Sequence, residues 1–145
     1  NYTMMGDTVN LAARLESSAK HYGVYNFVGE NIYEAAKDNF IFRFLDFVQV
    51  KGKKIPVKVY ELVAQKSNVN NSIVGLVRKF EKGLDYYYQQ EWERAINAFK
   101  SAEKMEEHFT ARNTTPSAVY IQRCIMFKNN PPGKDWDGVW KMTSK

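Results

Sequence analysis

The chain has 145 residues, of which 44% are hydrophobic and 26% charged, and its formal net charge is +5. This balance is typical of a soluble globular protein, and no apolar run approaches the roughly 20 residues that span a bilayer. The lysines are scattered and do not alternate with aromatic residues, so we expect neither nucleic acid nor a membrane as a partner of this chain.

A polar, asparagine-rich stretch divides the chain. Residues 64–72 have the composition of a linker. Residues 1–63 before it show a mixed α and β pattern, and residues 73–145 after it an almost wholly helical one. The N-terminus lacks an initiator methionine and has the pattern of a strand end, so we expect the chain to be a fragment of a longer protein.

The region before the linker begins with a strand end at 2–5, and a helix follows it. After the Gly6-Asp7-Thr8 turn, helical spacing continues to about Tyr22, and Gly23 stands where a left-handed C-cap belongs. The remaining elements are predicted, in chain order, as a strand at 24–28, a short helix at 30–37 and a β-hairpin with strands at 40–50 and 55–63.

Three helices are predicted after the linker, at 72–89, 91–107 and 117–128. Their small and aromatic residues have the spacing of a degenerate tetratricopeptide-like repeat, namely Gly83, Tyr86, Ala95, Phe99 and Ala102. The tail carries Trp136 and Trp140, so we expect it to pack onto the body. The single cysteine, Cys124, has apolar neighbours that predict burial, and it favours a reducing compartment.

The most informative segment is Tyr2-Thr3-Met4-Met5-Gly6-Asp7-Thr8-Val9-Asn10-Leu11-Ala12-Ala13-Arg14-Leu15-Glu16. Asn10 and Arg14 stand four residues apart, so on a helix both project from one face. A guanidinium beside an amide suits phosphate oxygens, because its nitrogens form a fork. On spacing alone, the same pair also fits an ordinary exposed helix face.

This segment resembles the Gly-Asp-Thr-Val-Asn-x-Ala-x-Arg signature of class III adenylate and guanylate cyclases. Further family motifs follow in order, at Tyr22-Gly23, Glu30-x-Ile32-Tyr33, Arg43-x-Leu45-Asp46, Val50-Lys51-Gly52-Lys53 and Val57-x-Val59-Tyr60-Glu61-Leu62. The resemblance implies an α+β fold over residues 1–63, the C-terminal half of a ferredoxin-like cyclase catalytic domain. An all-α tetratricopeptide-like module would follow.

The resemblance also implies roles for four residues. Asn10 would orient the ribose, Arg14 would offset charge on the α-phosphate, and Lys51 would contact the β- and γ-phosphates. Thr3 matches the position that contacts the base, where threonine favours ATP over GTP. The alternatives are a strand-favouring threonine and an ordinary turn lysine. Asp7 would cap the helix and would not bind metal.

Family catalysis uses two metal ions, Mg²⁺ or Mn²⁺, held by two aspartates. No matching string occurs in the chain, so we expect these ligands in a missing N-terminal half and none here. The resemblance implies a part of an adenylate cyclase, a lyase that converts ATP to 3′,5′-cyclic AMP and pyrophosphate in intracellular signal transduction. The site would need a second cyclase protomer, as in a homodimer.

We expect a cytoplasmic location, either of a whole protein or of the cytoplasmic part of a membrane-anchored parent. The isolated chain should be inactive as a cyclase, and it should self-associate through apolar faces around Phe27, Phe42, Phe44 and Val59 that lose their neighbours. Two alternatives stay open: a guanylate cyclase, and a degenerate cyclase homologue whose helical module binds a protein.

Overall fold

The computed structural model describes residues 18–106 and 113–142. Residues 18–22 are helical. The elements that follow are β1 Phe27–Gly29, α1 Glu30–Ala36, β2 Phe40–Gln49, β3 Val57–Gln65, a 3₁₀ turn Lys66–Asn68, α2 Asn71–Tyr88, α3 Trp92–Glu103, α4 Pro116–Asn129 and β4 Trp140–Lys141. A sheet followed mainly by helices agrees with the predicted α+β class.

The sheet has the strand order β1-β3-β2-β4. β3 pairs antiparallel with both β1 and β2, so the predicted hairpin is confirmed. β4 comes from the tryptophan-containing tail and pairs parallel with β2 through Val48↔Trp140 and Gln49↔Lys141. The tail therefore packs on the body as predicted, although the sequence did not indicate a strand there.

The first helix ends in a Schellman motif. The amide of Gly23 donates to Lys20 O at 3.3 Å, and the amide of Val24 donates to Ala19 O at 3.1 Å. Gly23 has a φ of 73°, the left-handed conformation that this cap requires. The predicted C-cap is confirmed, and it explains why the strand predicted from residue 24 begins only at Phe27: Val24 belongs to the cap.

The predicted linker is a short, largely structured connection. β3 continues to Gln65, the 3₁₀ turn follows, and α2 begins at Asn71. The amide of Lys66 donates to Asn39 O at 3.0 Å, which ties this turn to the start of β2. Asn70 caps α2, because its side-chain oxygen accepts from the amide of Ile73 at 2.9 Å.

The three long helices enclose an aromatic core. Gly83 lies against Phe99, and Ala95, Phe99 and Ala102 have no exposed surface, as the small-and-aromatic spacing predicts. Cys124 is also fully buried, as predicted. The core members are Leu76, Phe80, Leu84, Tyr87, Trp92, Ala95, Ile96, Phe99, Ala102, Tyr120, Ile121 and Cys124.

A second core joins the first helix to the sheet, with members Ala19, Tyr22, Val24, Leu45, Val48, Val50 and Val59. Val59 has no exposed surface, so the expectation that it loses cover is wrong. Phe44 packs against the core of the helical region, and Phe27 packs against the second core. The helices, the tail and the first helix supply cover that the sequence analysis assigned to missing strands.

Candidate functional site

The predicted site residues divide into two groups. Thr3, Asn10 and Arg14 lie outside the described residues, as does Asp7, so their predicted roles stay predictions. Lys51 is described and lies in the turn between β2 and β3. The structure therefore places one of the four predicted site residues and shows what holds it.

Lys51 occupies the second position of a tight turn. The amide of Lys53 donates to Val50 O at 2.9 Å, which closes the turn, and Gly52 has a φ of 86° at the third position. A glycine with positive φ there is typical of a type II turn. The side chain of Gln49 adds a hydrogen bond to Lys53 O at 3.1 Å. Lys51 is thus exposed on a turn whose backbone is fixed.

The tail strand β4 pairs with the end of β2 that leads into this turn. The amide of Met142 donates to Gln49 O at 2.9 Å, which extends the pairing of β4 with the end of β2. Val50 is buried next to Lys51, and Val139 is buried just before β4. The far C-terminal end of the described chain therefore helps to hold the strand end from which Lys51 projects.

The helix predicted to carry Asn10 and Arg14 is described only at residues 18–22. Its end lies against the start of α4. A Cβ atom added to Gly23 would lie 2.0 Å from Thr114 O and 2.6 Å from its carbonyl carbon, distances that no side chain could occupy. Gly23 thus has the left-handed conformation that the cap requires, and its missing side chain lets the backbone of the first helix approach that of the helical region.

A buried polar network fixes the same helix end. The hydroxyl of Tyr22 donates to Asp46 Oδ2 at 2.5 Å, and Arg123 Nη1 lies 2.7 Å from the same oxygen. Arg123 Nη2 also donates to Tyr22 Oη at 3.2 Å. Tyr22 and Asp46 have no exposed surface, and Arg123 is 3% exposed. We call these three residues the Tyr22 network.

Aromatic rings complete the surroundings of Arg123. Its guanidinium carbon lies 3.8 Å from the ring centroid of Trp140 and 4.8 Å from that of Tyr120. The hydroxyl of Tyr120 donates to Leu45 O at 2.6 Å, so α4 also bonds directly to the backbone of β2. Arg123 is therefore held by a carboxylate, a phenol and two aromatic faces, contacts that a desolvated guanidinium favours.

The charges in the network keep its members in defined states. Burial raises the pKa of Tyr22 far above its ordinary value, and the carboxylate of Asp46 raises it further, so the phenol remains a donor. Burial alone would lower the pKa of Arg123, but the carboxylate of Asp46 and the neighbouring tyrosines together outweigh burial, and the net pKa is raised. The network thus contains a neutral phenol and a permanently charged guanidinium.

A second buried ion cluster joins the sheet to the helices. Arg43 Nη2 lies 2.6 Å from Glu61 Oε1, and Arg43 Nη1 lies 2.7 Å from Glu106 Oε1. The guanidinium also stands 4.7 Å from the ring centroid of Phe80. Burial would lower the pKa of Arg43, but the two carboxylates together raise it. Arg43 and Asp46 are family motif residues in the sequence, and their partners Glu106 and Arg123 come from segments after the linker.

A groove of about 670 Å³ lies beside Arg123. Its walls include His21, Lys100, Glu103 and Gln122. Burial lowers the pKa of His21, and the charge of Arg123 lowers it further. Because the walls mix basic, acidic and neutral side chains, the groove favours no single ligand charge. Residues 107–112, which connect α3 to the segment before α4, are outside the described residues.

Two negative observations apply to the described ranges 18–106 and 113–142. Within them, no three His, Cys, Asp or Glu side chains lie close enough together to hold a metal ion. Within them, too, no helix combines the length and the apolar character that crossing a bilayer requires. The predicted Mg²⁺ or Mn²⁺ ligands upstream stay a prediction.

Comparisons with known proteins show similarity to three curated relatives. The terminal-differentiation specific adenylate cyclase of Dictyostelium discoideum is 31% identical over 127 residues, which cover 85% of this chain. Adenylate cyclase 1 of Rhizobium meliloti (strain 1021) is 38% identical over 74 residues, or 51% of this chain. The adenylate cyclase of Anabaena cylindrica is 35% identical over 65 residues, or 43% of this chain. No family model and no solved structure matches.

The chain spans only a small part of each relative, 6%, 11% and 13% of their lengths respectively. The match to the Dictyostelium protein covers 85% of this chain, so it must extend beyond residues 1–63 into the helical region. Sequence similarity therefore reaches both sides of the contact that the Tyr22 network makes. The chain is related in sequence to segments of proteins named adenylate cyclase.

Proposed function

We propose that the chain is the C-terminal half of a class III adenylate cyclase catalytic domain together with the helical region packed on it. The observation that carries the proposal is the similarity to three proteins that are all named adenylate cyclase. The intact signature with Asn10 and Arg14 supports it, because a relative that had lost catalysis would be free to lose both residues.

In the proposed reaction the 3′ oxygen of ATP attacks the α-phosphorus, and pyrophosphate leaves. Asn10 holds the ribose so that this oxygen lies in line with the bond that breaks, and Arg14 stabilises the charge that develops on the α-phosphate. Thr3 accepts a hydrogen bond from the adenine amino group. Mg²⁺ or Mn²⁺, bound by aspartates from outside this chain, supplies further charge stabilisation.

Lys51 contacts the β- and γ-phosphates, which become the leaving pyrophosphate. The geometry of its turn supports this role, since the side chain is exposed while the backbone is fixed by Gly52, by the closing hydrogen bond and by β4. A cation on a fixed turn loses little conformational freedom beyond its own side chain when it binds phosphate. A second protomer completes the proposed site.

The experiment is a cyclase assay on the complete product of the gene that encodes this chain. We expect cyclic AMP from ATP in the presence of Mg²⁺ or Mn²⁺, a lower rate of cyclic GMP formation from GTP, and no product from the 145-residue chain alone. A preference for GTP would favour the guanylate cyclase alternative. A complete protein that forms neither cyclic nucleotide would reject the proposal and favour the degenerate, protein-binding alternative.

A further inference from the structure

We propose that Tyr22 is a positioning residue of the cyclase reaction, which fixes the end of the helix predicted to carry Asn10 and Arg14 against Asp46 of the sheet and Arg123 of the helical region. This inference rests on the proposed function. It assigns the helical region a part in positioning the catalytic residues, beyond the repeat-like packing of its own helices.

Three separate segments meet at the Tyr22 hydroxyl. It donates to Asp46 at 2.5 Å and accepts from Arg123 at 3.2 Å. Removing this one oxygen breaks the polar link between the helix end and both partners. Asp46 and Arg123 still hold one another, because Arg123 Nη1 lies 2.7 Å from Asp46 Oδ2. The hydroxyl can therefore be removed without leaving a buried charge unpaired.

The backbone at Gly23 also lies close to the start of α4. The left-handed glycine brings the helix end so near to Thr114 that a Cβ atom would lie 2.0 Å from its carbonyl oxygen. The ring of Tyr22 also stacks on Phe27, with centroids 5.7 Å apart. Three independent contacts thus restrain both the axial position and the rotation of the helix end.

Tyr22 is close enough in sequence to Arg14 for this restraint to act on its position. If the helix continues upstream as the sequence predicts, Arg14 lies eight residues before Tyr22, or roughly 12 Å at 1.5 Å per residue. Such a helix would be nearly rigid over that length, so a tilt at Tyr22 would displace the guanidinium of Arg14. Misplacement by about 1 Å at a reacting centre can cost about 100-fold in rate.

The test compares Tyr22→Phe with Tyr120→Phe in the complete gene product. Both variants remove one fully buried hydroxyl that donates a short hydrogen bond, at 2.5 Å and 2.6 Å respectively. Of these two tyrosines, only Tyr22 belongs to the first helix, since Tyr120 donates from α4 to Leu45 of β2. The pair therefore separates positioning from a general loss of packing or hydrogen bonding.

We expect Tyr22→Phe to lower kcat about tenfold or more, with a KM for ATP within about twofold of the original protein. Tyr120→Phe should leave kcat within about twofold. The two variants should shift the unfolding midpoint by similar amounts. Amide hydrogen exchange at residues 18–22 should accelerate in Tyr22→Phe alone. Arg123→Lys should also lower kcat, because the single nitrogen of a lysine cannot reproduce the two contacts that the guanidinium makes, one to Asp46 and one to Tyr22.

Two outcomes would overturn the inference while the proposed function stands. In one, the original protein forms cyclic AMP and Tyr22→Phe keeps its kcat. In the other, both tyrosine variants lose kcat equally. An original protein that forms no cyclic nucleotide would reject the proposed function, and the positioning role would fall with it.

Discussion

Gly83 of α2 faces Phe99 of α3 so closely that a Cβ atom added to the glycine would lie 2.6 Å from Cε1 of the ring. Phe99 is fully buried and packs on Phe80 and Tyr120, with ring centroids 5.4 Å and 5.1 Å away, so it has no free space to move into. The absence of a side chain at Gly83 is what lets the two helices approach.

We therefore expect Gly83→Ala to destabilise the protein by about 1–3 kcal/mol, the usual cost of overpacking a core. Gly75 provides a matched control in the same helix, because its added Cβ would meet only the flexible end of Met105, at 2.9 Å from Cε. Gly75→Ala should be neutral or stabilising by up to about 1 kcal/mol through helix propensity. Urea unfolding measures both, and equal effects at the two glycines would contradict this account of the helix contact.

Alkaline pH should destabilise the folded protein through groups that burial keeps protonated. Burial raises the pKa of Cys124 to about 12, against the opposing charge of Arg123, and burial followed by the charge of Glu30 raises the pKa of Tyr60 to about 12. In the unfolded chain these groups lose their protons near pH 8.5 and pH 10. The unfolded state thus binds fewer protons above about pH 8.5, and stability falls as pH rises.

The measurement is the free energy of unfolding in urea between pH 7 and pH 11. We expect a plateau below about pH 8.5 and a continuous fall from there to about pH 11. Cys124→Ala should remove the part of the fall that begins near pH 8.5, while the part that begins near pH 10 stays. A free energy of unfolding that is constant from pH 7 to pH 11 would show that burial does not protect these groups.

Lys51 and Lys54 offer a test of the phosphate contact within the connection between β2 and β3. Both are exposed, but only Lys51 matches the cyclase motif position. In the complete gene product, Lys51→Ala should lower kcat/KM for ATP about tenfold or more, as expected for a lost hydrogen bond to a charged group. Lys54→Ala should stay within about twofold, and equal losses would indicate a general attraction of ATP to the basic turn.

Local patterns in the sequence predict much of this fold. The hairpin follows from two strand-favouring runs around Lys51-Gly52, and the helix end follows from Gly23, where a left-handed residue was required. The Gly83 and Phe99 contact follows from repeat-like spacing. In each case the residues that determine the structure are close in sequence or belong to one pair of helices.

The long-range polar contacts could not be predicted in the same way. Arg43 and Asp46 interrupt an otherwise apolar strand, but their partners Glu106 and Arg123 lie on the other side of the linker. A buried charge is stable only with such a partner, and strand periodicity does not identify it. β4 could not be predicted for a different reason: a strand of two residues is too short to show a pattern in the sequence.

The proposed site was identified by resemblance and not by geometry. Thr3, Asn10 and Arg14 were assigned from the signature, and the spacing of Asn10 and Arg14 alone fits many exposed helices. Lys51 was assigned in the same way, and the structure adds the fixed turn that presents it. Tyr22 stood within a family motif, yet only the distances to Asp46 and Arg123 indicate what it does.

Arg14→Ala in the complete gene product tests the proposed function most directly. Removing one group that stabilises developing charge should lower kcat for cyclic AMP formation about 100-fold or more, with a smaller change in the KM for ATP. Arg78→Ala is the matched control, since Arg78 is exposed on α2, and its kcat should be unchanged. An Arg14→Ala protein whose turnover matches that of the original and of the Arg78→Ala control would contradict the account.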